Sequence, residues 1–174
     1  MALNAYLKLT GQKQGDIKGS VTQKGREGKI MVIAVNHEII SPRDAASGLA
    51  TGKRQHMPFT ITKELDKSTP LLFSALVNNE TIISWELQFF IAKIKSGAGA
   101  GGETNHYTVK LTNASITDIK SIMPNNKIPE LAKLLEYEEI SFTYQSIEWT
   151  WVDGGINAKD DYTLFEKDLP NIYK

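Results

Sequence analysis

The stretch Arg54-Gln55-His56-Met57-Pro58-Phe59-Thr60-Ile61-Thr62-Lys63-Glu64-Leu65-Asp66-Lys67-Ser68-Thr69-Pro70-Leu71-Leu72-Phe73-Ser74-Ala75-Leu76-Val77-Asn78-Asn79-Glu80 decides the fold class. Met57, Phe59 and Ile61 alternate with Thr60 and Thr62, the period of a half-buried strand. The period then changes to that of a helix, with Leu72, Ala75, Leu76 and Val77 expected on one side. Thr69 is expected as N-cap and Pro70 as first helical residue, where a missing N–H costs nothing. Asn78-Asn79 provides the stop, since asparagine tolerates the left-handed conformation. No other segment carries so clear a helix. The chain reads as mainly β with one helix over about residues 69–78.

Outward from that stretch the pattern is short strands. Leu3, Ala5, Leu7 and Leu9 alternate in the first, and Ile17 and Val21 sit among turns between Gly11 and Gly28. Ile30 to Val35 is a continuous apolar run, as in a strand covered on both faces. Trp85, Leu87, Phe89 and Ile91 form one alternating strand and Tyr107, Val109 and Leu111 the next, joined through Gly97–Gly102. A short strand surrounds Ile116 and Ile119, and Glu130 to Leu135 reads as a helical turn. From Tyr137 to Val152 the apolar set changes phase. Ile140, Phe142 and Tyr144 are even, whereas Ile147, Trp149 and Trp151 are odd. A flat strand would place them on opposite faces, so the segment bulges or serves two surfaces. Ser41 to Lys53 has no period and reads as a long loop. The chain after Asp153 reads as a polar tail over 153–174, with Tyr162, Leu164 and Phe165 as its docking residues.

Composition narrows function. The 174 residues suit a single domain. The 20 basic and 20 acidic side chains cancel, which argues against a nucleic-acid or polybasic membrane partner. There is no cysteine, so disulfides and thiolate metal sites are excluded. No run reaches the roughly 20 apolar residues that span a bilayer, and the start shows no signal-peptide pattern. Gly97–Gly102 matches G-x-G-x-x-G, but a strand follows where the dinucleotide fingerprint needs a helix. His37, His56 and His106 lie in no metal-ligand spacing, and no serine occupies a nucleophile elbow. No catalytic residue, cofactor site or metal site is expected. Trp149 and Trp151, with Tyr144, support a second reading, a barrel that binds a small ligand or carbohydrate.

Several blocks together carry a family resemblance. They are the opening Gly15-Asp16-Ile17-Lys18-Gly19-Ser20, the loop SPRDAASGLATGKRQH, the block HMPFTITKELDKSTPLLFSALVNNE, WELQFF, HYTVKLTNASI and YEEISFTYQSIEWTW. In this order they resemble the hemolysin-coregulated protein (Hcp) family, tube subunits of bacterial type VI secretion. The glycine-rich Gly97–Gly102 departs from that pattern. The resemblance implies a compact two-sheet β-barrel with one flanking helix. It also implies hexameric rings stacked into a tube, assembled in the cytoplasm and exported without a cleaved signal peptide. Implied partners are other copies of the chain, a spike protein, sheath and baseplate proteins, and effectors carried in the lumen. On that view the loop 41–53 contacts a neighbour through Arg43, Asp44, Lys53 and Arg54. Ser74 and Asn78 mark the helix side turned away from the core, and Gln88, Thr108 and Lys110 are candidate lumen residues.

Overall fold

The computed structural model describes residues 2–93 and 102–161. The Gly97–Gly101 tip and Tyr162, Leu164 and Phe165 lie outside the described residues. In chain order the strands are β1 (Ala5–Gly11), β2 (Gly15–Ile17), β3 (Ile30–Val32), β4 (Ala34–Asn36), β5 (Ile39–Ile40), β6 (Gln55–His56) and β7 (Phe59–Glu64). Helix α1 (Thr69–Val77) follows. Then come β8 (Ile82–Ala92), β9 (Glu103–Thr112), β10 (Ser115–Ile122), β11 (Tyr137–Thr143), β12 (Ser146–Trp151) and β13 (Ile156–Asp161).

The larger sheet runs β13-β12-β9-β8-β1-β2, with β3 also pairing with β1, and the smaller runs β10-β11-β7-β4. Chain segments pass between the sheets where sequence and geometry both break the alternation. β3 pairs with β1 and β4 with β7, and between them Ile33 donates its N–H to the Thr62 carbonyl at 2.9 Å. β11 pairs with β7 and β12 with β9, on either side of Tyr144-Gln145. The even-to-odd phase change is therefore a strand that serves two sheets: Ile140, Phe142 and Tyr144 are buried from one, Ile147 from the other. Leu7, Leu9, Trp85, Leu87, Val109 and Leu111 of the larger sheet face Phe59, Ile61, Ile140 and Phe142 of the smaller. Trp85 meets Phe59 and Phe142 edge-on at 5.0 and 5.6 Å, the arrangement aromatic quadrupoles favour. The mainly β expectation holds. The barrel is not closed, however: the described ladders end at β13 and β2 in one sheet and at β10 and β4 in the other.

The helix packs against β10 and buries Leu72 and Ala75. Its N-cap is Ser68 rather than Thr69. The Asp66 carboxylate accepts the Ser68 N–H at 2.9 Å and its hydroxyl, an Asx turn that orders the chain one residue earlier. Thr69 instead turns inward, its hydroxyl donating to Glu138 Oε1 at 2.9 Å. Val77 is 77% exposed, because five residues from Leu72 it lies about 140° around the helix. The asparagine stop holds: Asn79 has φ of 50°, and Glu80 donates its N–H to the Ala75 carbonyl at 2.8 Å.

Met57, expected in the strand before the helix, is 41% exposed at the Met57-Pro58 break between β6 and β7. The chain after Asp153 is not simply a polar tail. Ile156–Asp161 is a strand paired along its full length with β12, invisible to an apolar period because nearly all its side chains are wet.

Candidate assembly interface

The segment read as an aperiodic loop is a β-hairpin arm. At its root Ile39 pairs with His56 and Ile40 with Gln55, and Met57 donates its N–H to the Glu38 carbonyl at 3.0 Å. Farther out, Arg43 bridges Ala50, and Thr51 donates to the Pro42 carbonyl at 3.0 Å. Asp44 closes the tip: its Oδ1 accepts the N–H groups of Ala46 and Ser47, at 3.1 and 2.6 Å, and the Ser47 hydroxyl at 2.7 Å. The Ser47 hydroxyl first, then these amides, hold the Asp44 carboxyl below its usual range. Arg43 donates to the Gly48 carbonyl at 3.2 Å. Almost every side chain of the arm is exposed, Leu49 at the tip by 69%. With no buried face there was no apolar period to read, which is why the sequence showed only a loop.

The four arm candidates have different surroundings. Arg43 and Asp44 serve the arm's own tip, and Lys53 lies exposed on the returning limb. Arg54, at the root, grips the Asp160 carboxylate with two N–H groups and also donates to the Asp161 carbonyl at 3.2 Å. Arg54 first, and His56 behind it, lower the Asp160 pKa against a smaller opposing effect of burial. Two histidines that are far apart in sequence also meet at this root. His37 Nε2 and His56 Nδ1 lie 2.7 and 2.8 Å from the Tyr144 hydroxyl, and His56 Nε2 is 2.7 Å from Asp160. Sequence reasoning missed this cluster, because only folding brings β6, β13 and the β11–β12 corner together.

On the helix, Asn78 Nδ2 donates to the Ser74 carbonyl at 2.9 Å and to its hydroxyl at 3.2 Å. Both residues lie off the buried stripe, beside exposed Leu71 and Val77.

Gln88, Thr108 and Lys110 do share a surface, the outer face of the larger sheet. Cross-strand neighbours point the same way, so register defines two rows. One is Lys8, Glu86, Lys110, Glu148 and Lys159, on β1, β8, β9, β12 and β13. Its charges alternate in sign at every step, and Lys110 Nζ is 3.6 Å from Glu86 Oε2. The second row is Tyr6, Gln88, Thr108, Thr150 and Asn157. Gln88 links the two, donating to Glu86 at 2.7 Å and accepting from Lys29 at 2.6 Å. Burial, against the pull of Glu86, lowers the Lys29 pKa. Thr108 itself is buried and accepts from Asn105 at 2.9 Å.

The aromatic set of the ligand-binding reading does not make one platform. Tyr144 is buried between the histidines, Trp149 packs against the core, and Trp151 stands edge-on to His106. Among the described residues no group of three or more metal-ligating side chains is placed to hold an ion.

A mainly β body with one polar sheet face, an exposed hairpin arm and one side helix, without a catalytic cluster among the described residues, fits a structural protein. The family model described as "Type VI secretion system effector, Hcp" matches residues 6–151, and the chain belongs to the Hcp family. It is 39% identical over 171 residues to the Major exported protein of Pseudomonas aeruginosa, covering 93% of this chain and 96% of that one. Among solved structures, Hcp1 of E. coli EAEC 042 superposes with a TM-score of 0.79 at 33% identity, covering 92% of this chain and 99% of that one. Hcp3 of Pseudomonas aeruginosa gives 0.70 at 33% identity, with coverage of 91% and 97%. The chain is a type VI secretion tube protein, a structural component rather than an enzyme.

Proposed function

We propose that the chain forms hexameric rings that stack head to tail into the inner tube of a type VI secretion system. The arm carries this reading. Its backbone is paired at the root and bridged and turned at the tip, yet the side chains of residues 41–53 bury almost nothing against their own subunit. An isolated two-stranded hairpin is marginal in water, so a neighbouring subunit or ring is the natural support for this one. Head-to-tail contact is also the interface type that generates rings and filaments. In this arrangement Arg43, Asp44 and Lys53 present the arm to the neighbour, while Arg54 sets its angle from within the subunit. Ser74 and Asn78 lie on the ring surface, and Gln88 and Lys110 face the lumen with their two rows, while Thr108, on the same sheet face, is covered by its neighbours. The further partners are a spike at the tip, sheath and baseplate around the tube, and effectors within it. Assembly occurs in the cytoplasm and export needs no cleaved signal.

Light scattering and negative-stain images test the ring: the expected mass is several times 19.4 kDa, with doughnut particles. A 19.4 kDa species without rings at working concentration overturns it. Deleting residues 44–52 tests the arm, and normal stacking of the shortened chain would remove its assigned role.

A further inference from the structure

We propose that His37, Tyr144 and His56 form a pH-sensitive clasp that holds the arm in one orientation and releases it on acidification. This rests on the reading of the arm as an assembly element and adds its regulation.

The clasp ties both limbs of the arm to the body. His37 precedes β5 and stacks on Phe59 of β7 at 4.9 Å, and His56 ends β6. Tyr144, 4% exposed, holds one ring nitrogen of each. The surrounding charged groups are Arg54 on the arm and Asp160 and Asp161 on β13. Glu38 follows His37 and Lys53 precedes Arg54 along the arm.

Proton positions follow from the contacts. Ionised Asp160 requires a proton on His56 Nε2. In neutral His56 the other nitrogen, Nδ1, then accepts from the Tyr144 hydroxyl. The Tyr144 oxygen is left to accept from His37 Nε2–H. The chain runs one way: His37 to Tyr144 to His56 to Asp160. One added proton can be taken up by reversing the Tyr144 hydroxyl and changing the His37 tautomer. Two cannot. Both rings would then aim N–H groups at one oxygen, the Tyr144–histidine donation would be lost, and two cations would face each other across a single atom. Burial first, then the nearby His56, lowers the His37 pKa from 6.5. The neutral clasp is therefore stable above that ordinary value and is lost as pH falls through the depressed one.

Hydrogen exchange of the purified, unstacked protein between pH 7.5 and 5, corrected for intrinsic rates, tests the clasp. Protection of the Ile40, Gln55 and Met57 amides is expected to fall about tenfold or more across that range, while β8 and β9 amides keep theirs. In Tyr144→Phe the arm is expected to be poorly protected at every pH, with no step. Should that variant lose β8 protection, His37→Gln replaces it, with a flattened step expected. An unchanged arm in the unmodified chain, or the same step in the variants, overturns the clasp. Because the readout needs no stacking, it is separate from the arm-deletion test of assembly.

Discussion

Lys63 Nζ lies 2.6 Å from Glu138 Oε1, and neither side chain is exposed at all. The pair joins β7 to β11 beneath the helix start, where Thr69 also touches both. Glu138 Oε2 is buried with no hydrogen-bond partner, so the pair is incompletely satisfied. Breaking such a pair is costly, whereas replacing it with apolar groups is often neutral or stabilising. Lys63→Met is expected to lose about 3–5 kcal/mol. The double variant Lys63→Met, Glu138→Leu is expected to recover part of it, since Asp66, whose Oδ1 lies 3.1 Å from Lys63 Nζ, still loses its cation. Urea unfolding of the three chains checks this, and an unrecovered double variant would contradict it.

Gly19 is hemmed in by backbone. A Cβ there would sit 2.6 Å from Ile30 Cα and closer still to the Lys29 carbonyl. Neither neighbour is the end of a flexible side chain, so the β2–β3 connection must move. Gly19→Ala is expected to destabilise the fold by about 1–3 kcal/mol, read as a lowered midpoint of thermal unfolding.

Asp160 ties stability to pH. Its pKa is lowered, chiefly by Arg54. A carboxylate depressed in the folded state adds stability above its unfolded value, and this is lost as pH falls through the folded one. Asp160→Asn is therefore expected to be clearly less stable than the parent at pH 7, with the gap narrowing as pH falls below the ordinary aspartate value, in denaturant titrations across that range.

Lys110→Glu would set three glutamates in a row, between Glu86 and Glu148. Like charges directly opposite are unfavourable, and each such pair is worth about 0.2–1 kcal/mol. Because the row is exposed, salt is expected to restore most of the loss. A melting point equally low in 1 M salt (Debye length about 3 Å) would count against the row as an electrostatic unit.

The fold was legible where one face was dry. Phe59–Ile61, Leu72–Ala75 and Trp85–Phe89 announced their elements because burial imposes a period. The double role of the segment around Tyr144-Gln145 showed as a phase change. Elements wet on both sides, the arm and β13, left no such trace. Thr69 yields the cap to Ser68 because Asp66 orders the chain one residue earlier, and Val77 lies too far around the helix from Leu72 to share its buried side. Gln88, Thr108 and Lys110 could be placed on one face from alternation. Their partners could not, because the alternating row depends on the register of five strands. His37 and His56 lie on opposite limbs of the arm, and their meeting is a property of the hairpin.

The row from Lys8 to Lys159 also governs what the sheet does at a distance. Neighbouring strands lie about 4.8 Å apart, so each positive charge is answered within one strand spacing, well inside the roughly 8 Å screening length of physiological salt. The field dies away close to the surface. At that range a charged group approaching the face feels neither strong attraction nor strong repulsion from this row.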